Sequence, residues 1–136
     1  MITIAVDFDG TIVDHDVMVH IEPHIGKPVP HAITFLKEFQ KHRAKIILWT
    51  MRSEIMNGQN HIDIAVNYLL ENGINLYGIN LNPDQHWTIS PKAHADVYID
   101  DRSVGCPLIH YEGYTNPCVD WRIVGPRVMD IIRRKK

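Results

Sequence analysis

The residues with the clearest chemical potential are Asp7-Phe8-Asp9-Gly10-Thr11, which follow directly on a short apolar run. Two carboxylates two residues apart at a strand end repel each other unless something positive lies between them. A bound Mg²⁺ would supply that charge, because hard cations take oxygen ligands. Gly10 permits the sharp exit that the backbone then needs. A second acidic pair, Asp100-Asp101, closes the run Val97-Tyr98-Ile99 and raises the same problem. Between these pairs lie groups suited to an anion. Thr50-Met51-Arg52 offers a hydroxyl, open backbone N–H groups beyond a strand, and a guanidinium that can grip a phosphate with two bonds. Ser90-Pro91 reads as the N-cap and first position of a short helix, with Lys92 behind it. A cation in a helix's first turn opposes the dipole, which makes sense if the ammonium is aimed at an anion.

These groups need a scaffold, and the sequence suggests one. Short β-branched runs at 2–6, 45–49, 76–79, 96–99 and 107–111 alternate with helical patterns at 31–42, 58–71 and 126–134. Alternation of this kind indicates a parallel α/β sheet, with the nearly all-apolar first strand buried on both faces. Gly73 reads as the stop of the second helix. Residues 14–30, rich in Pro and Gly, fit neither period and read as an irregular flap. The chain has 136 residues, enough for one domain over 1–136 that folds without staples. Lys plus Arg number 14 and Asp plus Glu 16, a net charge of −2 that excludes a globally basic nucleic-acid binder. Cys106 and Cys118 form no disulfide framework. With no apolar leader and no run long enough to span a bilayer, the expectation is a cytoplasmic protein away from membranes.

Taken together and in order, Asp7-Phe8-Asp9-Gly10-Thr11, Thr50, Lys92 and Asp100-Asp101 resemble the haloacid dehalogenase-like (HAD) hydrolase superfamily, over residues 1 to about 111. The resemblance implies a doubly wound parallel sheet of order 3-2-1-4-5, which would gather the carboxylates at the topological switch point. It implies Asp7 as nucleophile, forming an aspartyl-phosphate. Asp9 would be the acid and base, and Thr50 and Lys92 would cradle the phosphoryl oxygens. Mg²⁺ would be held among Asp7, Asp9, Asp100 and Asp101, with Asp9 using its backbone carbonyl. An Asp at position 9 points to a phosphatase within that superfamily, although phosphomutases keep it too.

Substrate contacts are expected from Thr11 and Arg52. His86 and Trp87, beyond the third strand on the same sheet edge, are further candidates. The chain has no room for a cap domain, so a large substrate or a second subunit would have to cover the site. Thr50-x-Arg52 and the run 99–102 look like polynucleotide 3′-phosphatases, while 95–102 and the small size look like short phosphatases of capsular polysaccharide synthesis. The charge balance favours a small or sugar-like phosphate over nucleic acid. His20 and His24 have the spacing of a helical Zn²⁺ pair, but Pro23 disfavours a helix there and no third ligand is evident. A phospho-accepting receiver domain would need its Thr and Lys after the phosphorylated Asp of strand three, an order this chain lacks. A phosphate-binding regulatory protein without catalysis is the remaining alternative.

Overall fold

Four short parallel strands form the central sheet: Thr3–Val6 (β1), Lys45–Leu48 (β2), Leu76–Ile79 (β3) and Val97–Ile99 (β4). Their order is β3-β2-β1-β4. They belong to a computed structural model that describes residues 1–135. Lys136 and the side chain of His20 lie outside the described residues. Every residue of β1 is buried, as expected for a strand flanked on both sides, with Ile4 facing Ile46 of β2 and Val97 of β4. Such burial on both faces is what makes the run nearly all apolar.

Three helices complete the fold: Ala32–Lys41 (α1), Ile62–Glu71 (α2) and Trp121–Arg134 (α3). α1 buries Leu36 and Phe39, and its Phe35 and Phe39 rings pack on Trp121 of α3. Gly125 is there for a steric reason, since a Cβ at that position would run into the Phe35 ring. The Trp121 indole N–H donates to the Thr11 carbonyl at 2.7 Å, and Val119 N–H donates to the Gly10 carbonyl at 3.0 Å. The C-terminal part of the chain thereby braces the turn that follows β1.

The structure corrects several expectations. The run at 107–111 does not join the parallel sheet. Only Leu108–Ile109 (β5) is extended, and it pairs antiparallel with Cys118–Val119 (β6) in a separate two-stranded sheet. The order 3-2-1-4-5 therefore holds only as 3-2-1-4. α3 starts at Trp121, five residues before the expected start, and keeps Pro126 inside. The Asp120 side chain caps it through the Arg122 N–H, and buried Trp121 supplies the packing that overrides the local Gly-Pro signal. Pro126 and Arg122 are both exposed, where a missing helical bond costs least. α2 starts at Ile62 because Asn57 and Gly58, both at positive φ, make a tight turn between Met56 and Gln59. The Asn60 side chain then accepts from the N–H groups of Ile62 and Asp63. No helix forms at 90–95. The Ser90 hydroxyl does accept from the Lys92 N–H, but the chain continues irregularly into β4.

Candidate active site

All four parallel strands deliver their C-terminal ends to one edge of the sheet. Asp7 follows β1, Trp49 and Thr50 follow β2, Asn80 follows β3, and Asp100 follows β4. The chain reverses direction across the sheet between β1 and β4, where open α/β sheets bind ligands. A crevice of about 980 Å³ opens there. Its lining includes Asp7, Asp9, Thr50, Arg52 and Asp100. The flap adds His15 and Val19. It leaves after Val13, makes one 3₁₀ turn over Val17–His20 and returns at Pro28, closed at its base by Asp14 N–H donating to the Lys27 carbonyl at 2.7 Å.

One wall of the crevice is acidic. Oxygens of Asp7, Asp100 and Asp101 lie within 4.8 Å of one another. The buried Thr11 hydroxyl organises this wall, donating to Asp7 Oδ2 at 3.2 Å and accepting from the Asp101 N–H at 3.3 Å. Gly10 sits at φ +83°, and a Cβ there would collide with the Asp101 carboxylate. Only glycine lets the two strand tips approach so closely. Burial, and after it the neighbouring Asp100 and Asp101, push Asp7 up to about 8. Burial also raises Asp101. The ion-pair partner of Asp101 is Arg102, 3.8 Å away, with a side chain 80% exposed. This donor set is all oxygen, carries surplus negative charge and is partly withdrawn from water. It fits a hard divalent cation such as Mg²⁺.

The facing wall is different. Arg52 is buried, and its guanidinium grips Asp9 with two bonds of 2.8 Å, from Nε to Oδ2 and from Nη2 to Oδ1. Nη1 also donates to the His61 carbonyl and Nη2 to the His24 carbonyl. The Phe8 ring lies 5.0 Å from the guanidinium carbon. Arg52 thus ties Asp9 to the start of α2 and to the flap. The Thr50 hydroxyl accepts from the Arg52 N–H, and the Thr50 N–H donates to Asn80 Oδ1 at 2.8 Å.

Of the residues singled out in the sequence, Asp7, Asp9, Thr50, Arg52 and Asp100 meet in the crevice, with Asp101 beside Asp7 and Asp100. The Asp9 carboxylate is apart from the acidic cluster, committed to Arg52. Arg52 is correspondingly a framework residue here, and Thr11 lies beneath the site as an organiser rather than on its surface. Lys92 is not brought to the acids. Its ammonium lies 5.6 Å from the Tyr98 ring centre, and Gln85 binds the Lys92 carbonyl and the His94 N–H, holding this stretch irregular where a helix start was expected. Trp87 is exposed and meets His94 edge-on; neither it nor His86 lines the crevice. His24 pairs with Asp16 at 3.2 Å. Asn80 is not singled out in the sequence, where its signal is an Asn directly after the third strand, a residue type that tolerates the positive φ it adopts here. Asp14 is not singled out either. Its buried carboxylate accepts from the N–H groups of Thr115 and Asn116, pinning the flap's root to the β5–β6 connection.

Among the described residues, no helix is long and apolar enough to cross a membrane. No protein-family model matches the chain, and no curated protein matches it. A solved structure does, described as the conserved protein coded by a locus from Bacteroides thetaiotaomicron. It is 34% identical, with 96% of this chain and 91% of that one covered and a TM-score of 0.72. Identity at this level over nearly the whole of both chains means that the protein belongs to the same family as that conserved Bacteroides thetaiotaomicron protein.

Proposed function

We propose that the protein is a Mg²⁺-dependent phosphatase of the HAD-like type, hydrolysing a small phosphomonoester through an aspartyl-phosphate on Asp7. One observation carries this reading. Oxygens of Asp7, Asp100 and Asp101 converge within 4.8 Å at the switch point of a 3-2-1-4 sheet. Asp7, Asp100, Asp101 and the backbone carbonyl of Asp9 would hold Mg²⁺, whose charge would offset repulsion between these acids and an incoming phosphoryl group.

The chain's own residues supply the rest. Thr11 orients Asp7 by donating to one of its oxygens, which leaves the other to attack phosphorus. As that bond forms, the bond from phosphorus to the leaving oxygen breaks, and the oxygen takes a proton from Asp9. A water then attacks the phosphorus of the aspartyl-phosphate, giving its proton to Asp9 and releasing inorganic phosphate from Asp7. Arg52 holds both Asp9 oxygens at rest, so Asp9 must release one of these two bonds to carry the proton. The Thr50 hydroxyl, at the β2 tip, supports the phosphoryl oxygens. Lys92, turned onto Tyr98, has no part in this geometry.

Arg52 is committed to Asp9, which leaves Arg102 as the cation on the crevice lining. That counts against a polynucleotide, which needs many phosphate contacts. A cytoplasmic setting agrees with the two free cysteines. The test is hydrolysis of an aryl phosphate with Mg²⁺, with a chelator, and with Mg²⁺ restored, in the native protein and in Asp7→Asn. Activity should require both the ion and Asp7. Turnover that survives in a folded Asp7→Asn protein removes Asp7 as nucleophile.

A further inference from the structure

The proposed chemistry uses the floor of the crevice and leaves one of its sides without a role. Val19, Trp49, Met51, Met56 and Pro91 line that space. They come from the flap, from the β2 tip and the loop beyond it, and from the β3–β4 connection. Met51 is 98% exposed. Isolated apolar side chains on a surface are ordinary, but several gathered into one concavity mark a binding surface. Methionines suit such a surface because their unbranched, polarisable chains adapt to the shape they meet.

On the Arg52 side of the crevice the polar groups are committed to one another. Asn80 Oδ1 holds the Thr50 N–H, the Thr50 hydroxyl holds the Arg52 N–H, and the Arg52 guanidinium holds Asp9. A sugar ring would call for several uncommitted donors and acceptors, and a second phosphate would call for more cations than Arg102. The volume of about 980 Å³ is nevertheless far more than a phosphoryl group fills. Resting on the phosphatase reading, we infer that the substrate is the phosphomonoester of an apolar alcohol. Its hydrocarbon body lies along Val19, Trp49, Met51, Met56 and Pro91 while its phosphoryl group meets Asp7.

Linear alkyl phosphates test this cleanly, because ethyl, butyl and hexyl phosphate have leaving groups of nearly equal acidity and differ in the length of chain. Burying a methylene is worth about 0.8 kcal/mol, which converts to about a fourfold gain in kcat/KM. With Mg²⁺, kcat/KM should rise about two- to fourfold per methylene along the series. Glycerol phosphate, similar in size to butyl phosphate, should be at least about tenfold poorer because its hydroxyls find no partners. Met51→Glu and, separately, Met56→Glu should flatten the dependence on chain length, with thermal unfolding reporting that each variant is folded. Ethyl phosphate turned over with no gain from longer chains overturns the apolar subsite and leaves the phosphatase standing. A chain-length dependence that both variants retain overturns it as well, since the body then lies elsewhere. Turnover of no ester at all overturns the phosphatase reading and the subsite with it.

Discussion

Asp7 and Asp9 stand two residues apart on one strand tip and live in opposite electrostatic surroundings. Asp7 faces two more carboxylates, and burial with their repulsion pushes it up to about 8. Asp9 meets a buried guanidinium that takes both of its oxygens. One side of the crevice therefore sets three acids against the exposed Arg102, while the other is balanced by its own residues. A carboxylate built only for structure looks like Asp14, which accepts two backbone N–H groups in the interior. A cluster left unbalanced beside an opening is what a cation site or a reacting carboxylate requires.

The sharpest way to break this comparison is to remove the charge at position 7. In the phosphatase reading, Asp7→Asn should lower kcat by about a thousandfold or more, since nothing else in the site can accept the phosphoryl group. The same substitution should stabilise the metal-free protein. The sign follows from proton linkage. Asp7 titrates near 8 when folded and near 3.8 when unfolded, so between these values the folded state binds the extra proton. Without metal, the native protein should therefore lose stability as pH rises from about 4 to about 8, then level off. Adding Mg²⁺ should remove most of that slope, and Asp7→Asn should reduce it, leaving the part that the raised Asp101 contributes. Thermal unfolding at pH 5 and pH 8, with chelator and with Mg²⁺, reads all three effects. A metal-free protein that grows more stable over this range contradicts the description of the acidic wall.

Position 52 probes the balanced side. Arg52→Gln leaves the Asp9 carboxylate without its partner and strips donors from the His24 and His61 carbonyls. Breaking one side of a buried ion pair costs about 3–5 kcal/mol. Urea unfolding should show a loss of that order, and Asp9→Asn in the same chain should recover part of it. Arg52→Lys should fall between, because an ammonium cannot make the two-pronged contact. Loss of the His24 contact should also loosen the flap, visible as faster amide exchange over residues 14–30. A smaller effect comes from Asp14→Asn, about 1–3 kcal/mol, since the amide keeps one acceptor for the two N–H groups that Asp14 serves.

How much of this could be read from the chain depended on how local each signal is. The β1–Asp7 junction was legible because an apolar run ends abruptly in charge. The same was true at Ile99–Asp100, and the two together implied the meeting of acids that the structure contains. β5 and β6 were not legible as they are, because two-residue strands carry no periodicity and their antiparallel pairing rests on contacts between distant segments. The early start of α3 was hidden by Gly125-Pro126, a local stop signal that Trp121 overrides by packing on Phe35 and Phe39. Arg52 drew notice as an anion-binding group. Its commitment to a carboxylate 43 residues away could not be seen, because charge complementarity at that separation exists only once β1 and β2 are side by side.

Lys92 and Arg52 make the last contrast, as two cations expected at one anion that the fold treats in unlike ways. Arg52 is buried among four acceptors, whereas Lys92 is exposed, with its ammonium over the Tyr98 ring. An exposed cation–π contact is worth about 0.5–1 kcal/mol, so Lys92→Ala should cost no more than that in urea unfolding. The activity of this variant sharpens the comparison further. With the lysine directed away from Asp7, kcat/KM should stay within about threefold of native. A loss near the size of the Asp7→Asn effect would require the stretch 88–95 to swing Lys92 over the acidic wall when substrate arrives. The irregular backbone there, tied by Gln85 through two hydrogen bonds, is the segment whose exchange rates would then change on binding.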